Sequence, residues 1–589
     1  MSLLIIRCAE LPGLAPAQAE HLVLAEAARQ GFSAGHKLAW PTGFAWWFDT
    51  PVNPRGSGAL HREGDRYAAS VGALQWRGRR GADALKALLA CGDTPQQLPL
   101  SEISGSFAML IGGPTGVWLC NDTLGLHKVY EVGGGAWRST SMMVCRALLP
   151  RPKIDRLRAQ EYVLLGANHA RQTPLQGLSL MDPKQAINLA SGASLPLHHD
   201  ASLRQHAGPK TAAEAVEAVA DNLAQEFRQL AQAWGPGIGM ALSGGFDSRL
   251  LLAALDHVGV PPRLYVYGRA ADADVVIGRQ IAARLGRDIE VFDKSLLGQD
   301  LPPLTAAALR ANYAFFDGLP VDGVFDRGID QRTRLMQVQG GLLNLNGGGG
   351  EILRNFFYLP DRNYSARDVV NAFYSGWLDE VFVSAQEREA FMHAMQTSVL
   401  DALGQPSGSA AAGHRPLPRS EIELVYSQFR LRYWMGRNNS VAARYGAFMT
   451  PLVTPSLVAL LAPLPMRWKD CGALEAKVIT RLSARVAQGP SAYGFDFSQG
   501  PGWRQRLAMA GTLVRPPWLR HHSLRVQRQL GRVRTVTVPS EWQQAAPTLG
   551  EVDWLNAALL TQREQLNRLF TLQGLLDHNV CGVVTCSAA

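Results

Sequence analysis

The stretch Met240-Ala-Leu-Ser-Gly-Gly-Phe-Asp-Ser-Arg-Leu250 constrains this chain more than any other. Ile238, Met240 and Leu242 alternate with small residues, as a buried strand does. Ser243-Gly244-Gly245 then demands a tight turn that no bulky residue makes. Leu250 to Leu255, with Val258, returns apolar residues at helical spacing. Strand, glycine turn and helix start together predict an anion site. Free backbone N–H groups and the positive end of the helix dipole both face whatever lies over the turn. Ser243 and Ser248 add hydroxyl donors, and Asp247 sets a carboxylate beside the bound phosphates, a position that suits a ligand of Mg²⁺.

No G-x-x-x-x-G-K-[ST] loop occurs here. The turn resembles instead the S-G-G-x-D-S pyrophosphate loop of the ATP pyrophosphatases, enzymes that cleave ATP between its α- and β-phosphates. The resemblance implies ATP and Mg²⁺ as cofactors. It places Leu242, Ser243, Gly244, Gly245, Asp247 and Ser248 on the nucleotide, with Tyr267 and Gly347 beside them.

At 589 residues the chain is too long for one core, and two or more domains are expected. A hydrophobic fraction of 47% and a mean hydropathy of −0.05 describe a globular chain without a lipid-spanning run. Met1-Ser-Leu-Leu-Ile-Ile-Arg7 lacks the layout of a secretion signal and reads as a first strand, so a cytoplasmic location is expected. Seven scattered cysteines point to reduced thiols, and Cys581 with Cys586 lacks the second pair a zinc site needs. Much of the +9 formal charge is local: eight arginines lie between Arg504 and Arg534 with no Asp or Glu among them. That run is either a solvated basic face or a surface that draws an acidic peptide or RNA.

Residues 1 to about 200 read as one unit of short strands and turns. Tyr67–Trp76 fits a strand and Gly81–Leu89 an amphipathic helix. Phe107–Ile111 and Val117–Cys120 flank Gly112-Gly-Pro-Thr-Gly116, which is hairpin chemistry. Leu157–Leu165 is helical by pattern, and a boundary falls near 200 to 210. Ala212–Gln232 is a strong amphipathic helix leading into the glycine turn. Beyond it, Arg263–Tyr267 reads as a strand, Asp274–Leu285 as a helix and Leu335–Val338 as another strand. This alternation predicts a parallel sheet with helices on both faces and ligands at its carboxyl edge. Ser407–Pro418 is a Gly/Ala/Pro-rich loop. The four glycines of Asn346-Gly-Gly-Gly-Gly-Glu351 predict a close approach of backbone to ligand, or else a flexible surface loop.

Ile103-Ser-Gly-Ser-Phe-Ala-Met109 and Asp122-Thr-Leu-Gly-Leu-His-Lys-Val-Tyr130 are similar to runs in the glutaminase domain of asparagine synthetases. That family joins an N-terminal amide-hydrolysing αββα sandwich to a C-terminal pyrophosphatase domain. The fold implied is therefore α/β, with a degenerate glutaminase-like sandwich over 1–200 and an ATP-pyrophosphatase domain over 201–589. A working glutaminase of this type exposes a cysteine after the initiator Met. Here Ser2 stands in that place and Cys8 is internal, so no glutamine hydrolysis is expected. The family run S-G-E-G-A-D-E matches at 346–351, with Glu351 in place of the metal-supporting Asp and Gly348 in place of the first Glu. Tyr433–Arg444 resembles a family helix ending S-x-E-x-R, with Ala442 in place of the Glu; Asn438 and Asn439 would cap a break there or line the pocket. Lys477-Val-Ile-Thr-Arg481 matches K-x-I-L-R, and Ala492 takes the place of lysine in K-x-G-F. The resemblance thus implies Asp247 and Glu351 as metal ligands and Lys477 and Arg444 as catalytic residues.

The implied chemistry is attack of a carboxylate on the α-phosphorus of ATP, then capture of the acyl-adenylate by an amine. Without a glutaminase nucleophile the amine is supplied directly, and an amine on the same molecule gains most from tethering. Among relatives, β-lactam synthetases use a tyrosine–glutamate pair that Gly348 and Ala442 remove. The chain is closest in character to lasso-peptide macrolactam synthetases. These join the N-terminal amine of a precursor peptide to an Asp or Glu side chain and work beside a leader peptidase and a leader-binding protein. A β-lactam-type or other intermolecular amide synthetase is the alternative. An RNA-modifying adenylating enzyme and a catalytically silent scaffold remain as lesser readings, and a nucleic-acid partner is not expected.

Overall fold

The computed structural model describes residues 2–50, 58–197, 208–298, 301, 303–320, 323–405, 410–546 and 552–582. Its N-terminal part holds two antiparallel sheets. The first runs β11 (Leu178–Leu180), β9 (Tyr130–Val132), β10 (Trp137–Ser139), β1 (Leu3–Arg7), β3 (Gly43–Phe48), β2 (Gly35–Trp40). The second runs β13 (Ser194–Pro196), β12 (Gln185–Asn188), β8 (Gly116–Asn121), β7 (Ser104–Gly113), β5 (Arg66–Trp76), β4 (Ala59–Glu63), with β6 (Arg79–Arg80) on β5.

Alternation along the strands explains the layering, because successive side chains leave opposite faces. Leu4 and Ile6 of β1 meet Ala69 and Val71 of β5 and Ala108 and Leu110 of β7 between the sheets. Leu3 and Ile5 point the other way, onto Ala19, Val23 and Ala27 of helix Pro16–Arg29. On the far side, Phe107, Met109 and Ile111 pack against Leu85, Leu88 and Leu89 of helix Gly81–Cys91. Helix, sheet, sheet and helix are thus stacked in four layers. β1 is buried on both faces, which is why its sequence is continuously apolar.

Helix Ala212–Trp234, capped by Thr211, buries Val219, Leu223, Phe227 and Leu230 and delivers the chain to a five-stranded parallel sheet. The strand order is β16 (Ile289–Phe292), β15 (Arg263–Tyr267), β14 (Ile238–Ala241), β17 (Leu343–Leu345), β18 (Phe448–Met449). Helices Phe246–His257 and Ala273–Arg284 make the first two crossovers. The order reverses at β14, whose other parallel neighbour is β17. A crevice opens at such a reversal, beyond the carboxyl ends of the strands.

The structure corrects the expectation of a strand at Leu335–Val338. These residues end helix Ile329–Gln337, and the strand that follows is β17. Asp330 and Arg334, one helical turn apart, pair at 2.9 Å, and that i,i+4 link outweighs the short apolar run. In the Ser407–Pro418 stretch, 406–409 lie outside the described residues, and Ala410–His414 forms a 3₁₀ turn. Most of the expected 200–210 boundary also lies outside them. The two units share one continuous apolar core. The late helix Arg563–Leu576 reaches back to the first unit, where Arg568 donates to the Val163 carbonyl at 3.0 Å.

Polar clamps join the units as well. The 122–130 loop is tied internally by Asp122, which accepts from the amides of Leu126 (2.9 Å) and His127 (2.8 Å). Its Lys128, buried, donates to the carbonyls of Gly125 (2.9 Å) and Arg432 (2.7 Å). Burial, with Arg432 nearby, pushes that ammonium down to about 7. The partner segment Tyr426–Met435 is wound as a π-helix and continues into helix Gly436–Ala442. Among the described residues no helix is long and apolar enough to cross a membrane. Cys8, Cys91, Cys120, Cys145 and Cys471 are free thiols, and Cys586 lies outside the described residues.

Candidate functional site

The glycine turn follows β14 and the glycine run follows β17, so both lie at the reversal point of the sheet. A cavity of about 800 Å³ opens there. Ser243, Asp247, Ser248, Tyr267 and Gly347 line it, as does Asn438. The Ser243 and Ser248 hydroxyls are 3.1 Å apart. Leu242, Gly244 and Gly245 form the turn behind this wall. Leu242 is fully buried, its N–H donating to the Tyr265 carbonyl of the neighbouring strand at 2.8 Å.

The turn differs from the expected set of free amides. Ser243 N–H donates to Ser248 Oγ (3.1 Å), Gly244 N–H to Asp274 Oδ1 (2.9 Å) and Gly245 N–H to Ser243 Oγ (3.2 Å). Side-chain oxygens hold the places an anion's oxygens would take. The first-turn amides of Phe246 and Asp247 have no intrahelical acceptor by the geometry of a helix start. An incoming phosphate would therefore use these and the two hydroxyls first.

The glycine run lines the cavity at Gly347 and Gly348 and also approaches its own protein closely. A Cβ at Gly347 would lie 2.9 Å from Asp247 Cβ, one at Gly350 2.3 Å from Asp247 Oδ1, and one at Gly349 1.8 Å from Val453 Cγ2. Close approach of the run to its own protein requires these glycines. Nor does Gly348 leave open room: a Cβ there would lie 2.0 Å from Met435 Cε. The π-helix fills the space with methionine.

Asp247, half-buried, belongs to a cluster that reaches from the cavity wall to a buried carboxylate. Arg354 donates to both its oxygens, at 2.8 and 3.0 Å, and places Nε 3.3 Å from the fully buried Glu475. Arg354 also donates to the Tyr493 hydroxyl at 2.9 Å. Glu351 stands behind the cavity wall, where Oε2 accepts from the Tyr426 hydroxyl (2.5 Å) and the Gly349 amide (3.0 Å). Three carboxylates thus surround one guanidinium. Burial pushes the Asp247 carboxyl up to about 6, with Arg354 opposing and Glu351 reinforcing. Burial also holds Glu475 well above the usual range, again against Arg354 and with the help of Asp247. Among the described residues no group of three His, Cys, Asp or Glu is arranged to hold a metal ion. Of the two expected ligands, only Asp247 is on the cavity wall.

Lys477 and Arg444 are not brought to the cavity. Lys477 is exposed on helix Ala473–Leu482 and lines a separate hollow of about 720 Å³. Its helix instead turns Glu475 toward Asp247, two residues away and on another face. Arg444 is buried at the seam between the units, 3.0 Å from Asp317 and hydrogen-bonded to Gln30. Ala492, in the place of the family lysine, does reach the turn, and its N–H donates to the Gly244 carbonyl at 2.9 Å.

Residues that sequence reasoning missed complete the wall. Lys294 pairs with Asp330 at 3.1 Å, Arg334 pairs with the same Asp330 and donates to Asn438 Oδ1 at 3.3 Å, and Arg269 lies nearby. Tyr267 receives a hydrogen bond from Gln337 and lies beside Lys294, 5.5 Å from ring centre to Nζ. The i,i+4 spacing of Asp330 and Arg334 was the available signal. The arrangement offers hydroxyls and cations to an anionic ligand on one side and a carboxylate-rich cluster on the other. Compared with known proteins, the chain matches no family model and no curated sequence.

Proposed function

We propose that this protein uses ATP to activate a carboxylate and joins it to an amine of the same peptide, forming a macrolactam and releasing AMP and pyrophosphate. The observation that carries this reading is the pairing of the Ser243–Ser248 turn with Asp247 in one cavity at the sheet reversal. A volume of about 800 Å³ falls in the range of nucleotide-sized pockets. Lys294, Arg269 and Arg334 set three cations on this wall, which also carries the carboxylates of Asp247, Asp272, Asp293 and Asp330. Bound ATP supplies the activating adenylyl group and a pyrophosphate leaving group. Ser243, Ser248 and the first-turn amides of Phe246 and Asp247 orient and stabilise the departing charge. Asp247 is the residue that would hold Mg²⁺, because three carboxylates against one arginine leave the cluster short of positive charge. Mg²⁺ needs only one or two protein carboxylates alongside phosphate oxygens.

The test is conversion of a linear precursor peptide, with ATP and Mg²⁺, to a product lighter by one water. Acetylating the peptide N-terminus, or replacing its acceptor Asp or Glu by the amide, should each abolish the loss. The acetylated peptide should still support exchange of labelled pyrophosphate into ATP, and the amide peptide should not. Dehydration that persists with a blocked N-terminus overturns the macrolactam reading.

A second reading is β-lactam-type closure on a small substrate. The Tyr426–Glu351 pair favours it, since a tyrosine–glutamate pair is present although from other positions than expected. That pair stands outside the cavity wall, so the peptide reading is preferred. Dehydration of small β-amino acids but of no peptide would reverse the preference.

A further inference from the structure

We propose that the surface formed by helices Trp503–Leu513, Pro517–His521 and Ser523–Gln529 docks this protein onto an anionic lipid bilayer. The first helix is seated on the protein by one side: the Cys471 amide donates to Met509 Sδ at 3.0 Å, and Cys471 Sγ lies 3.6 Å from the Gln505 carbonyl. Residues on a helix advance by about 100° each. Trp503, Leu507, Ala510 and Val514 therefore fall on a single stripe, away from Gln505 and Met509. That stripe faces solvent, with Trp503 70%, Leu507 66% and Val514 77% exposed. A surface helix ordinarily turns its apolar stripe inward. The pattern continues through Trp518, Leu519, Val526 and Leu530, so this segment holds half of the exposed large apolar side chains among the described residues.

Charge identifies the partner. Arg504 and Arg506 flank the stripe on opposite sides, and the segment to Arg534 carries eight arginines and no acid. Among the described residues only Arg525 has a carboxylate within ion-pair range, Glu380 at 3.9 Å, while Arg520 is spent on the carbonyls of Phe357 and Tyr358. The partner is anionic, and it accepts projecting aliphatic side chains. Nucleic acid would stack on the tryptophans and leave Leu507, Val514, Val526 and Leu530 without a role. A bilayer surface accommodates all three kinds of side chain: tryptophan at headgroup level, aliphatics at the acyl boundary and arginine on acidic headgroups. With no spanning helix among the described residues, the attachment is peripheral.

The full chain should be sedimented with vesicles of phosphatidylcholine alone and of phosphatidylcholine mixed with phosphatidylglycerol. Partitioning into the mixed vesicles is expected to exceed that into neutral ones by about 100-fold or more and to weaken as salt is added. Replacing Arg504, Arg506 and Arg515 by Gln should lower it on the order of 100-fold. W503S/L507S/V514S should lower it at least about 10-fold with the thermal unfolding midpoint unchanged, because these side chains are exposed. Equal partitioning into neutral vesicles, no partitioning, or an unaffected apolar triple variant overturns the proposal. So does retention on polyuridylate or polyglutamate in place of vesicles.

Discussion

A buried arginine and a half-buried one lead opposite lives in this molecule. Arg444, at the seam between the units, faces one carboxylate, Asp317. Asp317 is otherwise satisfied by Ser141 Oγ (2.5 Å) and by the amides of Met142 (2.7 Å) and Met143 (3.1 Å), which start a helix of the opposite unit. Charge is balanced and the oxygens are filled, so nothing is left over for a ligand. Arg354, under the glycine turn, faces Asp247, Glu351 and Glu475. Charge is unbalanced there, and one of the three acids forms part of a cavity wall. Buried ion pairs are weak evidence of stability in themselves. The surplus of one sign is what separates a site from a joint.

The comparison can be broken in three places. The largest effect is expected from Arg444→Met, which strands Asp317 and should destabilise the fold by about 3–5 kcal/mol, read by urea unfolding. Pyrophosphate exchange per folded molecule should stay within about 3-fold of wild type, since Arg444 touches nothing in the cavity. A selective loss of exchange would move Arg444 from joint to site. Asp247→Asn should do the reverse. Exchange should fall on the order of 10²–10³, the usual cost of one transition-state charge contact, with little loss of stability because Arg354 keeps Glu475. The smallest effect is one of pH. The carboxyls of Asp247 and Glu475 are raised, so the folded state holds protons that the unfolded chain releases above about pH 4. Stability should therefore fall, by about 1–3 kcal/mol, as pH climbs from about 4 through about 6. Glu475→Gln should flatten that slope, and an unchanged slope would mean the surplus charge is compensated elsewhere.

Local pattern carried much of the fold. The strands Tyr67–Trp76 and Arg263–Tyr267 are found within a residue of their expected bounds, and the glycine hairpin at 112–116 forms with its strands extended to Gly113 and Gly116. These segments answer to their own periodicity. Leu335–Val338 did not, because a side-chain pair one turn apart decided its form. The cavity was legible where one segment builds it, at Ser243, Asp247 and Ser248. It was not legible where distant segments meet. Lys477 is exposed, and only the phase of its helix, fixed by packing, shows that Glu475 is the residue aimed inward. Four glycines looked the same on paper whether a ligand or Asp247, Met435 and Val453 lay against them.

The π-helix at Tyr426–Met435 has a consequence for how the chain tolerates change. Such a segment is an α-helix that has taken in more residues than its repeat allows. It keeps its phase only while both ends are anchored. Here Tyr426 is held by Glu351, Arg432 by Lys128 of the other unit, and Met435 lies over Gly348. Loss of a single residue between 427 and 431 would let the helix tighten toward 3.6 residues per turn. Every named side chain would survive such a deletion, yet Met435 would swing off the glycine run and the carbonyl of Arg432 off its lysine. Point substitutions in this helix leave its register intact, whereas a one-residue deletion would unmesh the two halves of the protein.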